Sequence, residues 1–211
     1  MKRNKLFLLG LFVVFAAVLS LSLVSSTFAK YTSSNNGFDS ARVAKWGVEV
    51  TASSDYFVTA YDGTVQSSDS VDVLAPGTTK EAAAISITGQ PEVSVRITAS
   101  ATVELENWSD ENGNFYCPLT FTVAGTSVDL TGLTNADAVE AALETAIINA
   151  LKVDSAAAGT DLAKTVNVSW SWPFSTNPVN DVHDTFLGDQ AAAGAAPTIS
   201  IGVACTVEQI D

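Results

Sequence analysis

Residues 93–105, "VSVRITASATVEL", alternate apolar and polar side chains over thirteen positions without interruption. Apolar residues occupy every odd position from Val93 to Leu105, and polar or charged residues occupy every even one. Because successive side chains of a β-strand point to opposite faces, this period of two predicts a long strand. One face of that strand is expected to be buried and the other solvated.

The same alternation recurs along the chain and predicts a mainly β protein. Further strands are predicted at 46–50, 115–123, 166–172 and 199–207, with weaker candidates at 56–61, 71–74 and 83–88. Turns are predicted at Asn112-Gly113 and at "APGT" (75–78), where Gly and Pro supply the required backbone angles. About eight strands with one buried face each are typical of an antiparallel β-sandwich.

One segment breaks the alternation and predicts an inserted amphipathic helix over about 135–152. Thr134 and Asp137 predict an acidic cap at its start. The apolar residues spaced four apart, which share one side of a helix, are Val139, Leu143, Ile147 and Leu151. We expect this helix to lie on the sandwich with that side facing the core.

Residues 1–29 are typical of an export signal. A basic start, Met1 to Lys5, precedes an uncharged run from Leu6 to Val24, and a small residue, Ala29, closes the segment. The prediction is cleavage after Ala29 by a signal peptidase, which leaves 30–211 as a single domain. The alternative is a retained anchor, because nineteen uncharged residues are long enough to cross a bilayer.

The charge balance argues against binding to nucleic acid. The chain has 10 basic and 23 acidic residues, and loss of residues 1–29 would remove three basic residues and no acid. So acidic a protein repels phosphates and anionic lipids. The same composition favours solubility outside the cell.

Residues 170–188, "WSWPFSTNPVNDVHDTFLG", concentrate aromatic and acidic residues around His183, the chain's single histidine. The alternation assigns Trp170 and Trp172 to a buried strand face, and Pro173 is expected to end that strand. The residues that follow predict a short capped helical corner ending at Gly188. A catalytic role for His183 is disfavoured because no H-E-x-x-H, G-x-S-x-G or phosphate-binding glycine motif accompanies it.

Three further groups of residues have the side chains of a binding site. Asp181, Asp184 and Asp189 could hold Ca²⁺, but three carboxylates without further oxygens rarely suffice, and their spacing also suits a helix cap. "SDENGN" (109–114) lacks the terminal Glu of a calcium loop and is better explained as a turn. The aromatic residues Tyr56, Tyr61, Trp108, Trp170 and Trp172 could stack on sugars, although the alternation favours a core role.

Cys117 and Cys205 both fall on the apolar phase of their predicted strands. They are either a disulfide or two separate buried thiols, and their spacing in the sequence leaves both open.

The order of several motifs resembles the TasA/camelysin group of secreted proteins. These motifs are "TFAKYTSS", "ARVAKWGVEVTA" and "LAPGTTKEAAAISITGQPEVSVRI" in the first half, and "WSWPF…NDVHDTFLG…PTISIGVACTVEQ" in the second. The resemblance implies a jelly-roll sandwich that assembles into extracellular fibres of a bacterial biofilm matrix. It also implies donor-strand complementation, in which an N-terminal strand (30–50 here, with Lys30, Tyr31, Trp46, Val48 and Val50) completes the sheet of the next subunit. Some members are described as metalloproteases, but this chain lacks a plausible metal triad.

The leading hypothesis is therefore a secreted, non-enzymatic structural protein that forms or decorates fibres with copies of itself or with related subunits. It needs no cofactor or metal. The alternatives are a monomeric surface module that binds carbohydrate or protein and, less favoured, a secreted hydrolase.

Overall fold

The alternating stretch forms the longest antiparallel pairing of the fold in a computed structural model of the chain. The structure describes residues 41–52, 55–62, 65–174 and 177–210, without the side chains of 82–84. The strands are β1 (Val48–Thr51), β2 (Ala60–Tyr61), β3 (Val65–Gln66), β4 (Thr79–Gly89), β5 (Val95–Glu106), β6 (Thr120–Val123), β7 (Thr126–Ser127), β8 (Val153–Ala156), β9 (Leu162–Ser171) and β10 (Thr198–Gln209). The helices are α1 (Ala136–Leu151) and α2 (Pro178–Ala192).

These strands form two main antiparallel sheets. One has the order β1-β4-β9-β6-β7, the second has the order β10-β5-β8, and β2 and β3 form a separate small hairpin. The twelve residues of β10 pair with the twelve of β5, from Thr198 opposite Glu106 to Gln209 opposite Val95. The prediction of a mainly β, antiparallel sandwich with an inserted helix is confirmed.

The chain divides into two compact units, Met1–Val43 and Ala44–Asp211, and every element named above belongs to the second. The predicted export signal (1–29) and the donor-strand residues Lys30 and Tyr31 lie outside the described residues.

Helix α1 places its predicted apolar side in the core. Val139 is 2% exposed, and the other three residues of the stripe are fully buried. The predicted cap is wrong by one residue: Asn135, not Thr134, accepts the hydrogen bond from the Ala138 amide, at 2.8 Å. Asn135 has the extended backbone that an N-cap needs (φ −152°, ψ 160°).

Helix α1 also covers part of one edge of β5. Leu105 N donates to Glu140 Oε1 at 2.7 Å, and Val103 N donates to Glu144 Oε1 at 2.9 Å. Strand β8 pairs with β5 only at Val95 and Ile97, so the two glutamates satisfy strand amides beyond its reach. Side-chain acceptors thereby protect an edge that would otherwise offer amides to another strand.

Two sequence-based boundaries are corrected. The strand predicted at 115–123 is limited to β6 because Pro118 lacks an amide hydrogen, and Phe115 instead bridges to Ser109 across the predicted turn. The short corner ending at Gly188 is in fact the fifteen-residue helix α2. Asn177 caps α2, and Pro178 begins it, where a missing amide hydrogen costs nothing.

Candidate functional site

The outer side of β10 is the longest strand edge in the described part of the chain that no other described strand covers. Ile210 N donates to Ser94 O at 2.9 Å, whereas the amides of Val103 and Leu105 point away from β10 to α1. Along two antiparallel strands, pairs of opposite residues that hydrogen-bond to each other alternate with pairs that do not. The even-numbered residues of β10 therefore bond to β5, and the odd-numbered residues turn their backbone groups outward.

The same odd-numbered residues carry the apolar side chains of β10. Each is only half-buried although it packs against the core: Ile199, Ile201, Val203, Cys205 and Val207. We call the outward backbone groups and this apolar row the β10 edge. An added strand needs backbone groups to hydrogen-bond with and apolar surface to pack against, and the β10 edge offers both.

The predicted polymerisation residues lie at the start of the other sheet. Trp46 precedes β1 and is 43% exposed, and Val50 is 38% exposed. Strand β1 pairs with β4 of its own chain, with Val48 opposite Gly89 and Val50 opposite Ile87. Gly89 has φ +124°, and any Cβ there would collide with the carbonyl oxygen of Gly47. This close approach explains why the junction uses glycine.

His183 lies in a small polar cluster that links α2 to the 109–115 turn. Its Nδ1 is 2.6 Å from Glu111 Oε2, and its ring lies 4.9 Å from that of Tyr116. Tyr116 Oη donates to Asp184 Oδ1 at 2.8 Å, and burial raises the pKa of this tyrosine. The contacts tie two distant segments together, since His183 and Glu111 are 72 positions apart in the sequence.

The calcium site considered at Asp181, Asp184 and Asp189 does not form. Asp181 and Asp189 lie with Glu111 around an open surface pocket, but Asp184 turns toward Tyr116 and Trp172. At 3.6 residues per turn, residues 184 and 189 lie about 140° apart around α2, on either side of 181, so the three carboxylates do not converge. Among the described residues no group of three or more His, Cys, Asp or Glu is arranged to hold a metal ion.

The sugar-stacking interpretation of the aromatic residues is wrong, since no open platform is formed. Tyr56, Trp108, Trp170 and Trp172 are at most 5% exposed, and Tyr61 is half-buried. The core role is confirmed for Trp170 and Trp172.

Cys117 and Cys205 are free thiols, so the structure contains no disulfide between them. Cys205 lies on β10 opposite Ala99, whereas Cys117 precedes β6 in the other sheet. Burial raises the pKa of both thiols, that of Cys117 to about 11, which disfavours the reactive thiolate.

No protein-family model, curated protein or solved structure matches this chain. Neither helix in the described ranges is long and apolar enough to cross a membrane.

Acid is expected to destabilise the fold through the 109–115 turn. The side chain of Asn114 and the amides of Asn114 and Asn112 bond to Asp110 and hold the pKa of its carboxyl below the usual value. A carboxyl whose pKa is lower in the folded than in the unfolded protein stabilises the fold at pH values above its unfolded-state pKa, about 3.9. This stabilisation is lost as the pH falls through the folded-state pKa. Urea unfolding between pH 7 and pH 2.5 should show stability falling below about pH 4. Asp110→Asn should reduce this acid-side loss, and an unchanged slope would contradict the assignment.

Proposed function

We propose that the protein is a secreted structural subunit that forms or decorates extracellular fibres of a bacterial matrix or cell surface. Subunits join by donor-strand complementation, and the β10 edge accepts the incoming strand. The observation that carries this proposal is the β10 edge itself: twelve residues without proline, with an apolar row left half-exposed. Such an edge is a template for pairing with another chain.

The donor in this proposal is the N-terminal segment of another copy, residues 30–50. Residues 48–50 of this segment pair with β4 of their own chain at the margin of that sheet, so the part that we propose to pair with the next subunit is 30–47. Residues 30–47 contain three basic residues and one acid, in a chain of formal net charge −13. The β5 and β10 pair carries Glu104, Glu106 and Glu208 against Arg96, which is opposite Glu208, so the acceptor keeps an excess of negative charge for the basic donor.

The resemblance of the motif order to that of the TasA/camelysin group and the export-type start of the chain also support this proposal. A mass spectrum of the secreted protein should show Lys30 as the first residue. A protein retained with residues 1–29 would contradict the secreted form.

Removal of residues 30–40 tests the donor assignment. The chain beginning at Lys30 should give fibres or large oligomers in negative-stain microscopy and light scattering, and the chain beginning at Ala41 should remain monomeric. If both chains are monomeric under all conditions, the fibre proposal fails. If both assemble equally, residues 30–40 are not the donor.

A further inference from the structure

A cavity of about 480 Å³ lies between the 71–76 loop, helix α2 and the start of β10. Its size falls within the range of small-molecule sites in proteins, about 300–1,000 Å³. Most of its lining is apolar. The lining residues that determine what it can bind are Phe57, Asp72, Trp108, Trp172, Asp184 and Leu187.

Two tryptophans form an aromatic corner of this cavity. The ring centroids of Trp108 and Trp172 are 5.8 Å apart, with 53° between the ring planes. Trp108 Nε1 donates to Thr198 O at 2.7 Å, and Trp172 Nε1 donates to Asp184 Oδ1 at 3.3 Å. Both N–H groups already have acceptors and the two side chains are 4% and 5% exposed, so they present to the cavity only a small apolar and π surface, which suits apolar groups and cations.

The charged groups of the cavity are all negative. Asp72 and Asp184 are among its seventeen lining residues, and none of the seventeen is Lys, Arg or His. Tyr116 and Trp172 both donate to the same oxygen of Asp184, which fixes the orientation of its carboxylate. Tyr116 is a protonated donor at neutral pH, since the ordinary pKa of a phenol is about 10 and burial raises it further here. An ionised carboxylate beside apolar walls is stabilised by a positive charge on the ligand.

We propose that this cavity binds an organic cation with an apolar body, such as an aryl- or alkylammonium ion. The ammonium group lies near Asp184 and the tryptophan rings, and the apolar body packs against Phe57 and Leu187. A hard metal ion fits poorly because it requires six or more oxygen ligands, and this lining is mostly hydrocarbon. The proposal does not rest on fibre formation, although Ile199 lines the cavity and also belongs to the β10 edge.

Calorimetry of the chain beginning at Lys30 with benzyltrimethylammonium tests the proposal, with phenylacetate as the anion of similar ring size. We expect saturable one-to-one binding of the cation and none of the anion. Asp184→Asn should weaken binding about tenfold, as expected for loss of one charged partner. The matched control is Asp181→Asn on the same helix, which removes the same charge outside the cavity and should leave binding unchanged.

Asp184 accepts hydrogen bonds from Tyr116 and Trp172, so the fold of Asp184→Asn is also checked by circular dichroism and thermal melting. Should this variant not fold, Ala191→Phe replaces it, because Ala191 is exposed on α2 and its enlarged side chain would fill the cavity. That variant should lose binding and keep its melting temperature. Three results would overturn the proposal. The unmodified chain could show no saturable binding of the cation, Asp181→Asn could weaken cation binding as much as Asp184→Asn does, or Ala191→Phe could bind the cation as tightly as the unmodified chain.

Discussion

Val203→Lys is expected to abolish assembly and leave a folded monomer. Val203 lies near the middle of β10, with its side chain in the half-buried apolar row and its backbone groups on the outward side. A lysine there would place a charge where the incoming strand has to pack, which is how natural edge strands prevent pairing. In the monomer the long lysine stem can carry its charge to water, so the cost to folding is modest.

The matched control is Ala204→Lys, the adjacent residue of the same strand. Ala204 is exposed, pairs with Ser100 of β5 and turns its side chain to the opposite face. Both variants add one positive charge, but only Val203→Lys alters the β10 edge. Light scattering and negative-stain microscopy should find monomers for Val203→Lys and assemblies for Ala204→Lys.

Two results would contradict the assignment of the acceptor. Equal loss of assembly in both variants would show that net charge controls association. Normal fibres from Val203→Lys would show that another surface accepts the donor. Thermal melting of both variants shows whether a loss of assembly is caused by unfolding instead.

The regular elements could be predicted because their physical cause is local. A period of two placed β5 at 93–105, and the structure has it at Val95–Glu106. The four-residue spacing of Val139, Leu143, Ile147 and Leu151 likewise identified the buried side of α1. In each case the buried residues follow from the period at which side chains of one element return to the same face, two residues in a strand and 3.6 in a helix.

Contacts between distant segments could not be predicted in this way. The pairing of Glu140 with the amide of Leu105 joins residues 35 apart, and that of His183 with Glu111 joins residues 72 apart. Such contacts depend on how α1 and α2 pack against the sheets, and no short pattern encodes that. The cavity was missed for the same reason, because its walls come from six separate parts of the chain. Helix α2 was predicted too short because Gly188 is ordinarily a stop signal, whereas here the helix continues through it to Ala192.

Trp170→Ala is expected to cause the largest loss of stability among single substitutions in the core. Trp170 is 2% exposed in the central strand β9, and its Nε1 donates to Tyr56 O at 2.7 Å. Its ring lies 5.6 Å from that of Phe57 and 5.9 Å from that of Tyr61. The side chain therefore fills the core and also holds the 55–61 segment against the sheet.

Replacing a buried tryptophan with alanine typically costs about 3–5 kcal/mol, a large part of the roughly 5–15 kcal/mol that stabilises a domain. Urea unfolding followed by circular dichroism should show this loss for Trp170→Ala. Trp46→Ala is the control, since Trp46 is 43% exposed and its removal should change stability by about 0.5 kcal/mol or less. Trp170→Phe should fall between the two, because it keeps a ring but leaves the Tyr56 carbonyl without its donor. A Trp170→Ala protein as stable as Trp46→Ala would show that the 55–61 segment and the core do not depend on this side chain.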